Sequence, residues 1–285
     1  MTSTTTSTTP TTVAVPETPD SAIWRLRWLV ADTATLTIRG INYWIRQPLT
    51  VLGGLAFMIM LVALYGFLFG GAMQVPGGGS YMEFLLPGMF VMTMAFGIGE
   101  TMTGVSVDAE RGVTDRFRSM PMASSAVVLG RSVTDMLYSS VGLAVMIVAG
   151  VLLGWMWHGT PAETAAAIGL LLLLRFAMLW LGIFLGLVIP GPAAVNAVWT
   201  ILFPLTMVTA AFAPPETMPP WLGFIAEWNP LSATIYATRD LFGNPGVPSD
   251  SFVAENAIAL AVLWPLILLA IFVPLSIHRY QHLSR

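Results

Sequence analysis

Six apolar runs, at 49–70, 84–107, 136–157, 164–189, 193–212 and 256–277, each match the roughly 20 residues an α-helix needs to cross a bilayer. A chain that must hide so many such runs has few options. Only 9% of its residues are charged while 56% are hydrophobic, whereas soluble domains carry about 25% charge. The expected class is an all-α integral membrane protein.

All twelve basic residues are Arg, and the absence of Lys removes whole chemistries. A Walker A loop needs a Lys to reach the nucleotide phosphates, and a Schiff base needs one as nucleophile. With no Cys there is no disulfide and no thiolate metal site. A net charge of −3 gives no sign of nucleic-acid binding.

Residues 1–20 are Thr, Ser and Pro with almost nothing to bury, which predicts a disordered tail. No Arg precedes Arg25 and the first apolar run starts near residue 49, so no cleaved signal peptide is expected. Within 21–47, Arg25, Asp32, Arg39 and Arg46 recur every seven residues. On a helix they form one polar stripe beside Trp24, Trp28, Leu29, Leu36 and Trp44, as in a helix lying along the interface. An ordinary juxtamembrane segment with aromatic anchors fits too, and Thr33, Thr35 and Thr37 weaken the helix. A six-helix transmembrane domain at 48–279 and a tail at 280–285 complete the layout. The spacing shows no internal repeat.

With the N-terminus inside, Arg25, Arg27, Arg39, Arg46, Arg111, Arg116, Arg118, Arg131, Arg279 and Arg285 all fall on the cytoplasmic side. The outer loops hold only Arg239, so the positive-inside rule places both termini in the cytoplasm. The first cytoplasmic loop then contains VDAERGVTDRFRSMP, residues 107–121, with Asp108, Glu110, Arg111, Asp115, Arg116 and Arg118. As a helix it aligns Val113, Phe117 and Met120 on one face and pairs charges on the other. A solvated loop enforcing topology is the plainer reading. Acidic residues contribute little to orientation, however, and an exposed Phe and Met suit docking to a soluble protein. In the last outer loop, residues 214–241, Pro215, Pro219 and Pro220 interrupt any helix while Trp221 and Trp228 suit the interface. Short re-entrant helices and a proline-rich loop with anchors both fit that segment.

The run AERGVTDRFRSMPMASSAVVLGR, with Glu110, Arg111, Gly112, Pro121 and Gly130, resembles the first cytoplasmic loop of type 2 permeases of ATP-binding-cassette (ABC) transporters. It is similar in particular to permeases of daunorubicin/doxorubicin resistance exporters. The outer segment, with Glu216, Met218, Pro219, Trp221, Leu222, Asn229, Pro230 and Arg239, resembles the hairpin before their last span. The resemblance covers residues 22–278. It implies a coupling helix at 108–121, with Asp108, Glu110, Arg111, Gly112, Asp115, Arg116, Phe117, Arg118, Met120 and Pro121 docking on a separate ATPase. ATP and Mg would be bound by that partner, and this chain would need no cofactor of its own. A second permease, identical or related, and a bacterial plasma-membrane location are further implications.

Two charges fall inside spans. Arg175 lies in LLLLRFAMLWLGIF, where a cation costs about 2.5–3.5 kcal/mol unless it finds a partner or water. Glu100 sits about 11 Å inside the cytoplasmic end of its span. Both spans run from outside to inside, so a contact between them is geometrically open. The pair can serve structure alone, or line a polar part of a translocation path. His158, His278 and His282 lack the spacing of a haem or metalloprotease site and read as surface residues. Gly66–Gly70 and Gly182–Gly186 fit GxxxG packing, although such pairs also arise by chance among 26 Gly.

The expected function is therefore the permease of an ATP-driven exporter, not an enzyme itself, moving a hydrophobic or amphipathic drug outward. A lipid or glycolipid exporter of the same family is the alternative. An ion-coupled secondary transporter is the second, and an intramembrane enzyme lacks its catalytic cluster.

Overall fold

The computed structural model describes residues 22–46, 48–71, 78–110, 124–189, 191–246 and 251–282. The described residues are all-helical: α1 (Ala22–Arg46), α2 (Pro48–Gly70), α3 (Tyr81–Glu110), α4 (Ser124–Leu152), α5 (Pro161–Val188) and α6 (Gly191–Met207) come first. A 3-10 turn (Pro215–Thr217), α7 (Pro220–Trp228), α8 (Pro230–Leu241), α9 (Phe252–Glu255) and α10 (Ala257–Gln281) follow. Five helices, α2, α3, α4, α5 and α10, are long and apolar enough to cross a membrane. At 17 residues α6 is shorter, about 26 Å at the helical rise.

Helix α3 is the centre of the bundle. From Tyr81 to Ile98 every residue is buried except Glu83 and Thr93, because α2, α4, α5, α6 and α8 all pack on it. Its closest neighbour is α5. A Cβ on Gly182 would lie 3.0 Å from Ile98 O, and one on Gly186 would lie 2.8 Å from Met102 O. The two contacts advance together, so α3 and α5 run parallel, and this glycine pair is a true packing seam. Of the other pair, Gly66 meets Met82 while Gly70 faces open space. The end of the core beside the α4–α5 connection is aromatic, with Trp155 edge-on to Phe90 (5.2 Å) and Phe242 (5.3 Å). In contrast, α2 and α10 leave rows such as Leu64, Phe67, Leu68 and Leu263, Leu266, Ile271 exposed. Apolar faces of this kind are suited to lipid.

Residues 22–46 are helical in spite of their three threonines. The Thr35 and Thr37 hydroxyls donate to the carbonyls of Ala31 (2.9 Å) and Thr33 (2.8 Å), one turn back, and so do not compete with the helix. Along its length α1 packs on α4: Thr37 beside Gly130, Gly40 against Thr134, and Trp44 on Tyr138 with ring centroids 5.1 Å apart. Successive contacts climb both helices in the same direction, so the two are parallel.

Two span boundaries differ from those read in the sequence. The run at 136–157 belongs to a helix that begins at Ser124 and stops at Leu152. It stops because Gly154 turns left-handed (φ 98°) and the Trp155 N–H closes back on Gly150 O (2.9 Å). The run at 193–212 is helical only to Met207. Beyond it, residues 208–214 are held in a turn by side chains from α8.

Candidate functional site

In the second half of α3, Gly97, Glu100, Thr101, Gly104 and Asp108 share one face by their spacing. Opposite them α4 presents Arg131, Asp135, Tyr138 and Ser139, again one turn apart, and α5 contributes Arg175. Arg175 is 1% exposed. Its Nε donates to Ser139 Oγ (2.6 Å) and its Nη2 to Thr101 Oγ1 (3.1 Å). Thr101 in turn donates to Asp135 Oδ2 (2.9 Å), which also accepts from Arg131 Nε (3.1 Å). Arg131 Nη1 reaches Asp108 Oδ2 at 3.2 Å. An unbroken chain of hydrogen bonds thus runs from the buried middle of α5 to the last turns of α3.

Glycine makes room for both guanidinium groups. A Cβ on Gly97 would overlap Arg175 Nη1 and Cζ, and one on Gly104 would overlap Arg131 Nη2. The two glycines are two helical turns apart, as the two arginines require. Gly97→Ala should therefore push Arg175 off Thr101 and Ser139, lowering stability by about 1–3 kcal/mol as an overpacked core does. Denaturant unfolding of the micellar permease reads this directly, and an unchanged midpoint would count against the packing described here.

The Glu100–Arg175 contact left open by the sequence does not form: among the described residues no ion pair joins them. Arg175 spends its donors on hydroxyls, while Glu100 is exposed beside α2. Asp135, Thr101 and Ser139 went unnoticed as partners. Their signal was the Arg131/Asp135 spacing of four and the seven-residue recurrence of Thr101 and Asp108.

Of the residues expected to dock on an ATPase, Asp108 is half-exposed within the network. Glu110 closes α3 with its carboxylate Oε1 3.0 Å from where a Cβ on Gly191, the first residue of α6, would stand. A carboxylate there complements the helix N-terminus. Arg111, Gly112, Asp115, Arg116, Phe117, Arg118, Met120 and Pro121 lie outside the described residues.

Segment 214–241 contains two short α-helices, each entered through a proline at its first position. Asn229 caps α8 by accepting from Leu231 N (3.0 Å), and its Nδ2 donates to Val208 O (3.0 Å) and Leu205 O (3.3 Å), carbonyls freed where α6 ends. Arg239, also 1% exposed, lies over the Phe84 ring at 3.7 Å. Its Nε donates to Phe84 O (3.0 Å) and its Nη2 to Ala210 O (2.9 Å) and Ala211 O (3.1 Å). Asn229, Pro230 and Arg239 therefore form one device that ends α6 and ties it to α3. Glu216, Pro219 and Trp221 are exposed and Met218 half-buried; Trp221, Phe224, Ile225 and Trp228 align as an apolar stripe on α7.

Comparison with known proteins agrees with this architecture. The chain is 29% identical over 254 residues to "Daunorubicin resistance ABC transporter permease protein DrrB1" of Streptomyces coeruleorubidus, covering 89% of this chain and 87% of that protein. It is 29% identical over 218 residues to "Putative transport permease ycf38" of Pyropia yezoensis (74% and 73% covered). The protein of the same name from Cyanophora paradoxa is 27% identical over 232 residues (80% of each). Residues 32–242 match the ABC-2 type transporter family, and the chain, a multi-helix membrane protein similar to a drug-resistance permease, belongs to that family.

Proposed function

We propose that this chain is the membrane permease of an ATP-driven exporter that moves a hydrophobic or amphipathic compound out of the cell. The observation that carries the reading is the hydrogen-bonded chain from Asp108, where the 108–121 coupling segment begins, to Arg175 in the buried middle of α5. It provides a physical route from a docking site on the inner face to the centre of the bundle. With no Lys there is no Walker A loop in the sequence, so a separate ABC ATPase supplies the work at 108–121. In this reading α6 and the outer hairpin together make the remaining crossing, giving six spans with the α7–α8 pair dipping into the outer leaflet. Both termini face the cytoplasm of a bacterial cell, α1 lies at the inner interface, and two permeases pair around two ATPases. Differential contact of the ATPase with two permease arrangements shifts their populations, and the permeases rock outward.

The test is co-purification. Co-expressed with the ABC ATPases of the same genome, the wild-type permease should retain one of them. The double variant Glu110→Arg/Phe117→Asp should lose at least about tenfold of it, by the loss of docking contacts, while staying monodisperse. A wild-type permease that holds no ATPase, or a variant that holds it equally, overturns the coupling role. A lipid or glycolipid as cargo is the second reading, favoured by the exposed apolar rows on α2 and α10. Transport of labelled lipid, but not of drug, in ATP-loaded vesicles would select it.

A further inference from the structure

The charges of the seam do not balance. Among the described residues it holds three carboxylates, Glu100, Asp108 and Asp135, against two guanidinium groups, Arg131 and Arg175. Hydrogen bonds join both aspartates to the network, Asp135 to Arg131 and Thr101, and Asp108 to Arg131. Glu100 is the carboxylate left over, exposed within a membrane-crossing helix. Arg175 and Arg131 act on it only through space, since their hydrogen bonds go to Ser139, Thr101, Asp135 and Asp108, so the seam keeps one negative charge in excess at a depth where charge is costly.

Its surroundings have the form of a seat. The Glu100 carboxylate faces α2 at Gly54: a Cβ there would stand 3.5 Å from Glu100 Oε1 and 3.8 Å from Tyr138 Oη. The preceding Gly53 has no neighbour within 4 Å. Gly54 thus leaves a notch where a side chain would otherwise cover the acid. The Tyr138 ring, with the Trp44 indole packed on it, extends an aromatic wall from that notch. Carboxylate, phenol and indole around a gap that opens toward lipid form the combination that binds an organic cation: charge for charge, and ring faces for its apolar body.

We propose that Glu100, Tyr138, Trp44 and the notch at Gly54 bind a lipophilic organic monocation, such as an alkylammonium that carries an aromatic ring, entering from the bilayer. The site names a substrate class for the export reading and rests on that reading for the cation's onward path, but binding itself needs no ATPase.

The experiment uses the full-length permease in phosphatidylcholine nanodiscs, titrated with dansyl cadaverine, a fluorescent primary amine, and with its neutral N-acetyl derivative. Energy transfer from tryptophan is measured after subtraction of empty discs. The amine should bind saturably and at least about tenfold more tightly than the acetylated probe, the ratio a single ion pair provides. Glu100→Gln should abolish that preference, and it removes the excess negative charge of the seam, so folding should not suffer. Glu100→Asp should keep most of it. Gly54→Leu, on an exposed helix face, should block saturable binding of both probes by filling the notch. Equal binding of the two probes by wild type, or an amine preference that survives in Glu100→Gln, overturns the proposal. A permease that binds the amine but shows no ATP-driven transport counts against export alone, and loss of Glu100-dependent binding counts against this site alone.

Discussion

Replacing Arg175 by Met should destabilise the permease by about 3–4 kcal/mol, because its charge-assisted hydrogen bonds to Ser139 and Thr101 contribute about 1.5–3 kcal/mol each and are not additive. Methionine fills much of the same volume, so the loss is electrostatic rather than a cavity. Without the guanidinium, Ser139 loses its donor and the excess of carboxylates over arginines in the seam grows from one to two. Arg175→Lys should recover less than half, because one ammonium cannot fork between hydroxyls on α3 and α4. Unfolding in mixed micelles, followed by tryptophan emission, measures both. Transport separates structure from path: if Arg175→Met assembles normally and transports at the wild-type rate, the seam is not part of the translocation machinery.

Arg239→Met should act with similar size at the other end of the bundle, through a different mechanism. Here no carboxylate is involved; the guanidinium is held by three backbone carbonyls and one ring face. Charge-assisted hydrogen bonds contribute about 1.5–3 kcal/mol each and are not additive, so about 3–4 kcal/mol is expected. The damage should be local. Carbonyls of the turn after α6 would have to seek water, and the 208–246 region should gain hydrogen exchange and protease cleavage while α3 and α5 stay protected. Uniform loss of protection across the bundle, or none, would contradict the role assigned to Arg239.

How far the sequence could be read depended on where each segment sits. Helix α2 was legible to within a residue or so because its lipid-facing run is apolar on every side. The start of α4 was not, because Arg131 and Asp135 look like loop residues until Asp108 and Thr101 are known to meet them across 20 to 40 positions of sequence. The run at 193–212 was read as one span since residues 208–212 are mostly apolar; hydropathy carries no record of carbonyls captured by Asn229 and Arg239. Both of those motif residues were visible as a family likeness, but their shared task, ending α6, depends on contacts between segments distant in sequence. The same holds for Arg175. Its cost in lipid marked it, and Glu100 was the obvious acid, whereas the structure gives it neutral hydroxyls and hands the ion pairing to Asp135 and Arg131.

The parallel docking of α1 on α4 also limits how the protein can move. A Cβ on Gly130 would come within 2.7 Å of the Leu36 Cβ and 3.3 Å of Thr33 O, so Leu36 sits directly on the α4 backbone with no room for a further side chain. A displacement of the N-terminal helix should therefore carry α4 with it, and Arg131 joins α4 in turn to α3. A shim as small as one methyl group at residue 130 should be enough to part the first two.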